Sequence, residues 1–91
     1  MQGFHINGDR TRLYFRSDEH LSDEEEYDRI MSVLRSVNIV IGETKVMPYC
    51  DIIGCTLDGT GFDVVCHIDG DGTFIYCEDE QCMGRLEELF R

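Results

Sequence analysis

Polar and apolar positions alternate over Arg10 to Arg16, apolar residues recur at every third or fourth position in the next segment, and alternation returns beyond it. Phe4-His5-Ile6 leads into Asn7-Gly8, a pair suited to a type I′ hairpin turn because both central positions need positive φ. After the turn Thr11, Leu13 and Phe15 point one way while Arg10, Arg12, Tyr14 and Arg16 point the other, the pattern of a half-buried strand. Ser22-Asp23-Glu24-Glu25 then forms a capping box, and Tyr27, Ile30, Met31, Leu34 and Val37 follow at helical spacing. This predicts a helix of about 15 residues, with Asn38 as a left-handed stop.

From Ile39 the period is two again. Ile39-Val40-Ile41 closes at Gly42, Thr44 to Met47 stops at Pro48, and Cys50 to Leu57 continues as strand with a bend at Gly54. Two four-residue turns, Asp58-Gly59-Thr60-Gly61 and Asp69-Gly70-Asp71-Gly72, flank an alternating stretch with Phe62, Val64, Cys66 and Ile68 on one side. Thr73 to Cys77 adds a strand, and Asp79 caps a last helix whose apolar stripe is Cys82, Leu86, Leu89 and Phe90. The expected fold is a single α+β domain over residues 1–91, in the order β-β-α-β-β-β-α. Its antiparallel sheet has four to five strands, with both amphipathic helices on one face. Leu34, Phe62, Val64 and Leu86 are expected in the core.

Charge changes the picture more than composition does. The net charge of −11 is uneven: residues 1–16 carry three arginines against Asp9, and the other 75 residues carry eighteen acids against five bases. Such a surface repels nucleic acid and anionic membrane and steers toward basic proteins. Seven carboxylates fall within eleven residues at the first helix start. Asp18, Glu19, Glu24, Glu26 and Asp28 are the candidate partner-binding residues among them; Asp23 and Glu25 serve the cap and the helix dipole. The N-terminal stretch lacks the basic flank and apolar core of an export signal, and no apolar run is long enough to span a membrane, so a cytoplasmic protein is expected.

Catalytic and cofactor signatures are lacking. Asp69, Asp71 and Glu80 match positions 1, 3 and 12 of a calcium loop, but the glycine required at position 6 is Phe74, so the segment reads as a hairpin turn. Cys50, Cys55, Cys66, Cys77 and Cys82 are odd in number, and the pairs Cys50–Cys55 and Cys77–Cys82 each enclose four residues, a poor spacing for zinc. They are expected to be reduced, mostly buried thiols. Cys66 and His67 are adjacent and point to opposite faces of a strand, which argues against a thiol enzyme. The expectation is therefore a non-enzyme with no metal and no cofactor.

In size, acidity and its last hairpin and helix, the chain resembles the small acidic immunity proteins that neutralise bacterial polymorphic toxins. The segments concerned run from Phe62-Asp63-Val64-Val65 through Asp69-Gly70-Asp71-Gly72-Thr73-Phe74-Ile75-Tyr76 to Leu86-Glu87-Glu88-Leu89-Phe90. The resemblance implies a non-catalytic inhibitor that occupies a basic surface of a toxin or nucleic-acid enzyme; it assigns no binding residue by position. A phage-encoded inhibitor of host defence has the same physical profile, and a small metal- or thiol-dependent protein built on the cysteines is the alternative from another class. Self-association through a sheet edge is a further expectation.

Overall fold

The structure, a computed structural model, describes residues 1–17, 19–67 and 72–91. Strands β1 (Gln2–Ile6) and β2 (Asp9–Arg16) are joined by Asn7-Gly8, whose φ angles of 53° and 75° are those a type I′ turn demands. Helix α1 (Asp23–Arg35) follows, then β3 (Ile39–Val46), β4 (Cys50–Leu57), β5 (Thr60–His67), β6 (Thr73–Tyr76) and helix α2 (Glu80–Leu89). All the strands join one antiparallel sheet in the order β1-β2-β6-β5-β4-β3. The observed order is thus β-β-α-β-β-β-β-α with six strands, against the four to five expected.

The additional strand has a local cause. Ile41 pairs with Cys55, but the next pair is Thr44 with Ile53, so β3 spends one more residue than β4 across Gly42-Glu43. This bulge exchanges the parity of the strand: Ile39 and Ile41 face the core before it, and Thr44 shares their side after it. A period-two reading breaks there, although the backbone pairing continues. A β-carbon at Gly42 would lie 2.7 Å from the Gly54 carbonyl oxygen, so the close approach belongs to Gly42. Gly54 sits within continuous β4–β5 pairing.

Two other expectations are corrected. The β4–β5 turn is the two-residue Asp58-Gly59, with φ of 49° and 84°, and Thr60 already pairs with Leu57. α1 ends at Ser36 in right-handed geometry, its hydroxyl donating to the Val33 carbonyl at 2.6 Å; Asn38 does not take positive φ. The second expected four-residue turn includes residues 69–71, outside the described residues.

The capping box of α1 is present in full, and the Asp79 carboxylate caps α2 by accepting from the Cys82 amide at 2.8 Å. Both helices lie on one face of the sheet. Ile30, Met31 and Leu34 of α1 and Cys82, Met83 and Leu86 of α2 share a core with Leu13, Phe15, Ile53, Cys55, Phe62, Val64 and Ile75. Leu34, Val64 and Leu86 are completely buried and Phe62 nearly so. At the C-terminus Phe90 meets Phe15 edge-on at 4.7 Å, and its carbonyl accepts from the Gly3 amide. No helix among the described residues is long and apolar enough to cross a membrane.

A polar clasp fastens the first hairpin to α2. The register of β1 slips between Phe4 and Ile6, where His5 sits, and the His5 ring spans the Arg12 carbonyl at 2.8 Å and a Glu87 carboxylate oxygen at 2.6 Å. Each ring nitrogen thus has an oxygen acceptor within hydrogen-bond distance. Arg10 adds a bond to the same carboxylate at 3.1 Å. Burial opposes the Glu87 charge, but the bonds from His5 and Arg10 outweigh it and hold the carboxyl below its ordinary range.

Leu34→Ala should cost about 2–5 kcal/mol in denaturant unfolding, the range for deleting a core side chain. Because Glu87 ionises more readily when folded, its contribution is complete above the usual glutamate range and is lost as pH falls through its lowered folded value. Glu87→Gln should therefore be less stable than the parent by about 1–2 kcal/mol at neutral pH, with the gap closing in acid. Paired melts across pH check this.

Candidate docking surfaces

The first turn of α1 stands beside the end of β4, and the space between them is a cleft of about 440 Å³. Asp23 and Glu24 from the helix and Asp51 from β4 bring three carboxylates to it, over Tyr27, Ile53 and Cys66. Asp51 faces this side because it stands two residues from core-facing Ile53 in β4 and pairs with Cys66. Burial, with Cys66 close by, raises the Tyr27 phenol above its ordinary value, so its hydroxyl stays a neutral donor and acceptor. Carboxylates around an apolar base suit a lysine or arginine side chain, whose methylene stem prefers apolar contact while its charge stays at the mouth.

The five sequence-derived candidates have different roles. Glu24 and Asp28 are exposed on α1. Glu19 is exposed but already engaged, bonded to Arg29 at 2.8 Å. Glu26 is half-buried, and its carboxylate accepts from the Thr73 backbone amide at 2.9 Å, tying α1 to β6. Among the described residues its carboxylate thus has a partner within the fold, unlike those of Glu24 and Asp28. Asp18 lies outside the described residues. Asp51 was missed because only the fold brings it to the helix start.

The cysteines divide between the two sheet faces. Cys50 pairs with His67 on the side away from the helices, whereas Cys55, Cys77 and Cys82 are buried in the core. Cys77 and Cys82 meet across the β6–α2 corner as free thiols. Burial, reinforced by Cys77, pushes the Cys82 thiol up to about 12, and burial likewise raises Cys55. Thiols held protonated are poor nucleophiles. Among the described residues no three or more His, Cys, Asp or Glu side chains are placed so that they could hold one metal ion.

A recess of about 1010 Å³ lies between the first hairpin and α2 and contains the His5–Glu87–Arg10 clasp. Its central acid, Glu87, is already bonded to His5 and Arg10. At the β3–β4 corner Val46, Met47 and Tyr49 are exposed apolar side chains, with Val46 and Tyr49 each about three-quarters accessible. Comparison of the chain with protein-family models, curated proteins and solved structures finds no match.

Two glutamates on one helix should respond differently. Glu26→Ala should lose about 1.5–3 kcal/mol in chemical unfolding, the value of a hydrogen bond to a charged group, because the Thr73 amide loses its acceptor. Glu24→Ala should stay within about 0.5 kcal/mol of the parent.

Proposed function

We propose that this chain is a non-catalytic, acidic protein-binding inhibitor of the immunity type, which occupies a basic surface of a toxin or nucleic-acid-acting enzyme. The observation that carries the reading is the cleft at the α1 start, where Asp23, Glu24 and Asp51 surround Tyr27 and Ile53. A basic side chain entering it meets a partly desolvated negative site, and the surrounding −11 charge accelerates encounter. Glu24 and Asp28 extend the acidic surface along the exposed side of the helix. The raised thiols of Cys55 and Cys82 weigh against nucleophilic cysteine chemistry. The same surface serves an inhibitor of toxin or of host defence, because both targets would be recognised through basic side chains.

The test is binding kinetics against the partner that copurifies from the native source. A Glu24→Gln, Asp28→Asn, Asp51→Asn variant leaves the capping box and the Glu26 tie intact. Its association rate should fall about tenfold or more, and parent binding should weaken as salt shortens the screening length. Binding indifferent to both the substitutions and salt would overturn the proposal.

A further inference from the structure

The side of the sheet away from the helices has an apolar row running from edge to edge, and no described element lies over it. Phe4 pairs with Tyr14, Tyr14 stands 5.5 Å from Phe74 between ring centroids, and Phe74 pairs with Val65. Val65 in turn pairs with Ile52, and Ile52 with Lys45. The three aromatic rings occupy β1, β2 and β6, while the smaller aliphatic residues and the lysine occupy β5, β4 and β3. Rows beside it carry opposite charges at different places: Arg12 lies over the Tyr76 ring at 5.4 Å, and Asp63 pairs with Tyr76 on the next strand. All six row residues except Lys45 are partly accessible rather than buried, and Lys45 is exposed.

This arrangement is self-complementary. A twofold axis parallel to the strands, placed between β5 and β6, exchanges the two halves of the row. It sets Phe74 against the partner copy's β5, Tyr14 against its β4 and Phe4 against its β3. In that arrangement each ring meets a smaller side chain, Val65, Ile52 or Lys45, and the last is a cation over an aromatic face. Arg12 is carried toward the Asp63 strand of the other copy. We infer that the uncovered face of the sheet is an interface between two copies of this chain, packed as a two-sheet sandwich about that axis. Sheets stack face to face in this way about 10 Å apart, and an isologous contact closes after two copies. The acidic cleft lies on the helix side and stays open, so this inference and the proposed docking function stand or fall separately.

Two molecules of −11 repel each other, so salt should strengthen this contact, the opposite of its effect on an acidic protein bound to a basic partner. Sedimentation equilibrium of the full chain from micromolar to millimolar concentration, at low and at high salt, reads both mass and affinity. The expected result is a species of twice the 10.5 kDa chain mass, with tighter association at high salt. Val65→Lys places charges at the centre of the interface and should weaken the dimer at least tenfold, with circular dichroism and thermal unfolding reporting that the chain remains folded. Ile52→Lys, farther along the row, provides the same test if the first variant fails to fold. Val46→Lys, on the β3 edge with its side chain on the helix side, should leave the dimer intact, which separates stacking from edge pairing. A monomer throughout the concentration range, a dimer that folded Val65→Lys or Ile52→Lys leaves unchanged, or a dimer lost with Val46→Lys would overturn the inference.

Discussion

One-sided burial is the constraint on which the rest of this structure depends. A chain of 91 residues has enough apolar side chains for one core, and a domain this small buries only about 60–65% of the surface its unfolded chain exposes. Both helices therefore lay their stripes on the same side of the sheet, where Ile30, Leu34, Val64, Ile75 and Leu86 reach zero accessibility. The opposite side keeps side chains that tolerate partial exposure, including Phe4, Tyr14, Phe74 and Tyr76. The polar ties at the edges have the same origin: Glu26 fastens α1 to β6, and Glu87 fastens α2 to the first hairpin. Each binds a segment distant in sequence with a charge-assisted bond, where no further layer of core exists to do so.

Much of this fold was legible because its signals are local. The Ser22 to Glu25 box, the Asn7-Gly8 turn, the alternation around Leu13 and the stripe through Leu34 are each set within a few residues. The stripe of α2 omitted Met83, which is buried beside Cys82 and widens the apolar face. β3 was read as two pieces because the Gly42-Glu43 bulge reverses its alternation while the pairing with β4 continues. Strand order was not legible: β2 joins β6 through Arg12–Tyr76 and Leu13–Ile75, pairs separated by more than sixty residues that leave no mark on local pattern.

The candidate site was half legible for the same reason. The concentration of acids at the start of α1 is visible in the chain, but which acids are free is decided by contacts across the fold. Glu26 is claimed by an amide 47 residues away, and Glu19 by Arg29. Asp51 joins the site only through the arrangement of β4 beside the helix. Charge and apolar surface are consequently separated by the sheet: carboxylates gather at the helix start, and the aromatic row occupies the far side. The buried thiols of Cys55 and Cys82, which burial keeps protonated, serve packing.

The central claim is that the helix side of the sheet, at the α1 start and the adjoining end of β4, is where a partner docks. Hydrogen exchange of the full chain, with and without its copurified partner, tests it most directly. The account expects slowed exchange in residues 23–28 and 50–53 on binding, with the solvent side of α2 unchanged. Protection confined to α2, with residues 23–28 and 50–53 exchanging as they do in the free protein, would contradict it.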